Sequence, residues 1–104
     1  IAVFNVGYKV PVAAKTAAYT ATTSDMVITG DGTAAAFSIT LPAASGNTGR
    51  SYTIKKIDAS VNAVTVDPNA AETIDGAATY ALSAQWKYVT AVSNGTNWII
   101  TANN

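Results

Sequence analysis

Six carboxylates supply most of the acid, base and metal-ligand chemistry that this sequence could offer. They are Asp25, Asp31, Asp58, Asp67, Glu72 and Asp75. They fall in separate turn-like segments and lack the Asp-x-Asp-x-Asp-Gly spacing of a calcium loop, so a weak ion site between residues 67 and 75 is the best of the poor options. The chain has no histidine and no cysteine, which removes histidine bases, thiolate nucleophiles and the usual zinc and iron ligands. We therefore expect solvated turn carboxylates, no enzymatic activity, no metal and no cofactor.

The basic side chains group only around Arg50, Lys55 and Lys56. On a strand Lys55 and Lys56 point to opposite faces, so we expect solubilising or salt-bridged residues, with Asp58 as a partner, rather than one basic patch. The alternative is a role in binding an anionic glycan or a phosphate. Lys56 shares a face with Tyr52 and Ile54, which would place it at a subunit boundary. Six basic and six acidic residues cancel, and the apolar runs are short. The chain therefore lacks the excess of positive charge that general binding to nucleic acid requires. Its apolar runs are too short to cross a bilayer.

Aromatic side chains offer a different kind of chemistry, because a sugar ring can stack on an exposed aromatic face. The candidate contacts for a glycan or protein partner are Trp86, Tyr88 and Tyr80. Trp86 has polar neighbours on both sides and is expected to be exposed, whereas Trp98 precedes two isoleucines and is expected to be anchored in the core. The competing interpretation is that all of these rings pack in the interior or at an oligomer interface.

The sequence predicts that β-strands position these residues. Thr, Val, Ile and Tyr alternate with period two, and turn residues interrupt them at intervals of about ten residues, which is typical of an all-β protein. Strands are predicted at residues 3–10, 26–29, 37–41, 52–57, 64–66, 79–82, 88–93 and 98–101. Asn94-Gly95 predicts a hairpin between the last two strands, and Asp31-Gly32 and Asp75-Gly76 predict tight reversals that return neighbouring strands to each other.

Loop residues between the strands have predicted roles as turns and clasps. Pro42 ends a strand because it cannot donate to a ladder, and Gly49 permits a backbone conformation that is closed to other residues. Arg50 can then reach a carboxylate or backbone carbonyls at the start of the next strand. The full set of turn and clasp residues is Pro42, Gly49, Arg50, Asp75, Gly76, Asn94 and Gly95.

A chain of 104 residues predicts one domain, and we find no convincing fixed-period repeat. The expected fold is all-β, with about eight to ten short antiparallel strands in a sandwich or flattened barrel. Residues 1–18 are expected to form an N-terminal arm or connector, and residues 19–104 the β-domain. Because 21 alanines and 15 threonines leave few large core residues, association as a homotrimer would add stability.

Six short blocks occur in order along the chain. They are ITLPA at 39–43, NTGR at 47–50, YTIKKID at 52–58, NAVTV at 62–66, ETIDG at 72–76 and SNGTNW at 93–98. Together they resemble the small β-domains of bacteriophage tail fibres, head fibres and related virion proteins, over roughly residues 19–101. The resemblance implies a non-enzymatic and often trimeric component of the virion that serves decoration or host attachment.

The predicted function is therefore that of a bacteriophage virion structural protein, a fibre or tail-appendage module that contributes to host attachment. Its expected partners are copies of itself, other virion proteins of the capsid or tail, and a host surface glycan. Two alternatives stay open. One is a capsid decoration protein, of the head-fibre or cement kind, anchored by its N-terminal arm. The other is a carbohydrate-binding or polysaccharide-degrading module.

Overall fold

The computed structural model describes residues 7–104 and places nine β-strands and no helix within that range. The strands are β1 (Val12–Lys15), β2 (Tyr19–Thr20), β3 (Val27–Gly30), β4 (Phe37–Thr40), β5 (Ser51–Lys56), β6 (Val64–Asp67), β7 (Tyr80–Leu82), β8 (Tyr88–Ser93) and β9 (Trp98–Asn103). They form a five-stranded sheet in the order β1-β3-β5-β8-β9 and a four-stranded sheet in the order β2-β4-β6-β7. The all-β prediction is confirmed.

The first six strands wind alternately through the two sheets. β1, β3 and β5 run parallel in the five-stranded sheet, and β2, β4 and β6 run parallel in the four-stranded sheet. Each strand in one sheet and its successor in the other therefore make one coil, and three coils stack side by side. Val12, Val27 and Thr53 are register partners across the coils. Their unequal spacing in the sequence explains why no fixed period is visible there.

The prediction of antiparallel strands is wrong for these coils. Period-two alternation reports which face of a sheet a side chain occupies, and that alternation is the same for parallel and antiparallel neighbours. Parallel neighbours need a crossover between them, and here a strand of the opposite sheet provides it. Only the last three strands pair antiparallel, β7 with β6, β8 with β5 and β9 with β8.

The three predicted reversals have different outcomes. Asn94-Gly95 forms the hairpin between β8 and β9 as predicted, and Asn94 Oδ1 accepts bonds from the backbone N–H groups of Thr96 and Asn97 at 3.0 and 2.8 Å. The prediction for Asp31-Gly32 is wrong, because β3 and β4 belong to different sheets and the segment between them is a crossover.

Asp75-Gly76 forms a tight turn, but the strand that follows it pairs elsewhere. Ile74 and Ala77 exchange backbone hydrogen bonds of 2.8 and 2.9 Å, and both central residues have positive φ, at 48° and 79°. Positive φ at both central positions is the geometry of a type I′ turn. β7 then pairs with β6 instead of returning to the residues before the turn, so the expected pair of strands does not form.

Both sheets contribute to one hydrophobic core. The buried apolar residues are Ala21, Ile28, Ile39, Leu41, Ala44, Tyr52, Ile54, Val64, Val66, Ile74, Leu82, Val89, Ala91 and Trp98. β5 and β8 alternate strictly between buried and half-buried positions, so each turns one face inward. Trp98 is fully buried with its ring 5.6 Å from that of Tyr52, which confirms the prediction that it is anchored.

The N-terminal segment enters the five-stranded sheet. Residues 3–6 of the strand predicted at 3–10 lie outside the described residues, and residues 7–10 are not in a strand. The first strand begins at Val12 and pairs with β3, and the Pro11 carbonyl accepts a 3.2 Å bond from Val27 N–H. The predicted boundary between arm and β-domain at residues 18 and 19 thus falls between β1 and β2, which belong to different sheets.

Candidate functional site

Five of the six carboxylates accept backbone hydrogen bonds, and four of these five, all except Asp58, have no ion-pair partner in the described chain. The bonds to these four are Thr22 N to Asp25 Oδ2 (2.8 Å), Thr33 N to Asp31 Oδ1 (3.0 Å), Ala44 N to Glu72 Oε1 (3.1 Å) and Ile100 N to Asp75 Oδ1 (2.9 Å). The hydroxyl and N–H of Thr33 lower the pKa of Asp31. Glu72 and Asp75, considered above for a weak ion site, hold backbone N–H groups instead. No cluster of three metal-ligating side chains occurs among residues 7–104.

Asp58 forms the one ion pair of the described chain, with the predicted partner Lys56. Lys56 Nζ lies 2.7 Å from Asp58 Oδ1, and both side chains are buried. Asp58 also accepts hydrogen bonds from Gly32 N–H at 2.8 Å and from the N–H and hydroxyl of Ser60. The Lys56 bond, followed by the Ser60 hydroxyl, holds the pKa of Asp58 well below its ordinary value. Lys56 is fully buried within the single chain and cannot contact another copy. The prediction that it lies at a subunit boundary is therefore wrong.

The predicted clasp at Arg50 joins three separate segments. Arg50 Nη1 donates to the Thr23 carbonyl at 3.1 Å, and Arg50 Nε donates to Asn47 Oδ1 at 2.8 Å. Gly49, with a φ of 86°, donates its N–H to the Ser93 carbonyl at 2.8 Å. Arg50 does reach a backbone carbonyl, but this carbonyl belongs to the loop before β3 and not, as predicted, to the start of the strand that follows Arg50. Its side-chain acceptor is an amide and not a carboxylate. Pro42 follows β4 and Leu41, where the chain leaves the sheet.

Two of the three candidate aromatic residues lie near Lys55, whose side chain is on the outer face of the five-stranded sheet. Tyr88 on β8 is the register partner of Lys55 on β5, so the two side chains share a face. Lys55 Nζ lies 5.2 Å from the Tyr88 ring centroid and 6.0 Å from that of Trp86. Trp86 is exposed over 52% of its surface, as predicted. We refer to Lys55, Trp86 and Tyr88 as the aromatic surface.

The turn that presents Trp86 is fixed from both sides. Trp86 N–H donates to the Lys56 carbonyl at 2.8 Å, and Lys56 N–H donates to the Lys87 carbonyl at 2.9 Å. The Asn104 side chain donates to the Trp86 carbonyl at 3.1 Å and accepts from Tyr88 N–H at 3.0 Å. Trp86 has a φ of 70°, a conformation that a bulky residue rarely adopts.

Tyr80 is separate from the aromatic surface. It lies on β7 in the four-stranded sheet, and its ring packs against the core. Its hydroxyl accepts a hydrogen bond of 2.8 Å from Asn103 Nδ2 at the end of β9. The structure thus places Trp86 and Tyr88 around Lys55, for which the sequence predicts contact with solvent or a salt bridge. Its place beside Tyr88 depends on the β5–β8 register, which no local pattern encodes.

The surface of the described residues is open and has no enclosed pocket. Residues 7–104 contain no helix that is long and apolar enough to cross a bilayer. Comparison with protein-family models found no match, and comparison with curated proteins found no significantly similar sequence. The described residues present a two-sheet scaffold that carries the exposed aromatic surface.

Proposed function

We propose that this chain is a non-enzymatic structural module of a bacteriophage virion, a segment of a fibre or tail appendage that contributes to host attachment. The six ordered blocks described above carry the resemblance to such domains. The structural observation that best supports the proposal is the parallel stacking of three coils, because a stack of this kind can be extended by further coils or strands along one axis. Long, thin appendages are built by extension of that sort.

The two ends of the stack differ, and the difference supports a position at the end of an appendage. Among residues 7–104, β1 in the first coil is an edge strand, and its Val12 is 62% exposed. At the other end, Trp98 N–H donates to the Thr73 carbonyl and Asp75 N–H to the Trp98 carbonyl, at 2.9 and 3.0 Å. The Asp75 carboxylate also binds Ile100 N–H. The first residues of β9, covered in this way, do not accept a further strand as readily as an open edge does.

We further propose that the two sheets form a β-sandwich and that three copies assemble as a homotrimer. The outer face of the five-stranded sheet supports this part of the proposal. Thr53 and Thr90 on neighbouring strands join their hydroxyls at 2.8 Å, and Val12, Val27 and Thr53 are register partners across β1, β3 and β5. These side chains are short, so this row of the face allows close approach of another copy, while the neighbouring row that holds Lys55 stays uncovered.

Antibody labelling of the phage particle that encodes this chain tests the proposal. Antibodies raised against the β-domain should decorate a fibre or tail appendage when intact particles are viewed by electron microscopy. Label spread over the capsid shell would instead favour the decoration protein. Absence of the chain from purified particles by mass spectrometry would contradict both.

A further inference from the structure

Trp86 occupies a backbone position that suits glycine or asparagine far better than tryptophan. A φ of 70° brings the Cβ of an L-residue close to the following carbonyl oxygen, which is sterically unfavourable. The ring does not recover this cost by burial, because about half of it is exposed. Neither the turn nor the core therefore accounts for an indole at this position, and strained residues of this kind concentrate at binding sites.

Lys55 adds a positive charge that the described residues leave without a carboxylate partner. The one ion pair within 4.0 Å in residues 7–104 joins Lys56 and Asp58. Lys55 Nζ lies above two ring faces at 5.2 and 6.0 Å, near the outer limit of a cation–π contact, and its ammonium group can still donate hydrogen bonds. Lys87 Nζ is close by in the sequence and donates to the Asn104 carbonyl at 2.9 Å.

The shape of this region restricts the class of ligand. An open surface with no enclosed pocket cannot surround a small molecule, but it can lie along a polymer. An indole face suits the apolar face of a pyranose ring, and an ammonium group beside it suits a carboxylate on that ring. A nucleic acid would need a larger positive excess than a chain of zero net charge provides.

We propose that the aromatic surface binds an acidic polysaccharide, with a pyranose ring stacked on Trp86 and its carboxylate bound by Lys55 Nζ. Tyr88 supports the same sugar or its neighbour from the side of β8. This inference names the ligand of the proposed attachment function and rests on it. Because the contact is open and small, each site binds weakly, and a particle carrying many copies gains its hold from multivalency.

Binding of acidic hexasaccharides of galacturonate, glucuronate or sialic acid to the whole chain tests the proposal. Their methyl esters, which keep the rings and lose the charge, are the matched control ligands. We expect at least one acid to quench the fluorescence of Trp86 and to bind about tenfold more tightly than its ester, since hydrogen bonds to charged groups have about this effect. Equal affinity for acid and ester, no binding in the whole panel, or tighter binding of single-stranded oligothymidylate would overturn it.

Three variants separate the binding surface from the fold. Trp86→Gly should lower the affinity at least tenfold while the chain stays folded, because glycine accepts the positive φ. Lys55→Gln should lower affinity for the acid and leave affinity for the ester unchanged. Lys15→Gln is the matched control, since it removes another ammonium group that lies over an aromatic ring, 3.8 Å from the Tyr19 centroid. Full binding by Trp86→Gly would overturn the assignment, whereas the antibody label on the particle would be unaffected by either result.

Discussion

The two tryptophans illustrate how differently one residue type can be used in a small domain. Trp98 is fully buried against Tyr52, and Trp86 is half-exposed in a strained turn. We expect Trp98→Ala to lower the free energy of unfolding by about 3–5 kcal/mol, because it leaves a large cavity. Trp86→Gly should change it by at most about 1 kcal/mol, since relief of the φ strain offsets the entropy cost of glycine. Urea denaturation of both variants measures the difference, and equal losses would contradict it.

The buried ion pair makes the free energy of unfolding depend on pH in the acidic range. The pKa of Asp58 in the folded chain lies below its ordinary value, mainly because of the bond from Lys56. The unfolded chain therefore takes up a proton first as the pH falls, and the stabilisation is complete above about pH 4 and decreases below it. Urea midpoints at pH values between 2 and 7 should show this loss.

Asp58→Asn is the variant that assigns the acid dependence. It should be less stable than the parent at pH 7, because Lys56 then keeps a buried charge without a carboxylate. Its stability should also vary less with pH, although Asp25 and Asp31, whose pKa values are lowered too, keep part of the slope. An unchanged slope would show that Asp58 does not titrate as described.

At the scale of single residues the sequence predicted the exposure of the two tryptophans and the pairing of Lys56 with Asp58, but it did not predict the burial of that pair. The polar neighbours of Trp86 and the apolar neighbours of Trp98 correctly indicated which indole faces solvent. The sequence also suggested Asp58 as a partner for Lys56, but not that the lysine is fully buried. A lysine is rarely buried unless its charge is paired. Here the partner, Asp58, lies just after the end of β5.

At the scale of elements, strand positions could be predicted and their pairing could not. Alternation located β5, β6, β8 and β9 to within a few residues. Direction and order depend on which strands meet after the chain has crossed between the sheets, and that choice is made by burial of the whole core. The hairpin at Asn94-Gly95 was predictable because two residues with turn propensity fix it locally. The crossover at Asp31-Gly32 carries a similar dipeptide and does not form a hairpin.

Gly30 sets how closely the two sheets approach each other. A Cβ atom added there would lie 2.7 and 2.9 Å from the two methyl groups of Val64 on the opposite sheet. We expect Gly30→Ala to lower the free energy of unfolding by about 1–3 kcal/mol through overpacking. When Val64→Ala is added, the loss in the double variant should be smaller than the sum of the two single losses. Gly7→Ala, with no atom within 4 Å of the new Cβ, is the control. Equal stability of Gly30→Ala and Gly7→Ala in urea would contradict the close contact between Gly30 and Val64.

At the scale of the whole molecule, the proposed trimer predicts a mass in solution. The chain has a mass of 10.6 kDa, so light scattering coupled to size-exclusion chromatography should give three times that value. The stability of the assembly should rise with protein concentration, because association is linked to folding. A concentration-independent melting temperature together with a monomer mass would contradict it.

The order of synthesis matters for a sheet arranged in this way. β5 lies at the centre of the five-stranded sheet, with β3 on one side and β8 on the other, and β8 and β9 come after the other seven strands in the sequence. Until a ribosome has made residues 88–103, one side of β5 has no neighbour and the core lacks Val89, Ala91 and Trp98. Native pairing on that side of β5 must therefore wait for β8, and chains released before that point would present an aggregation-prone strand.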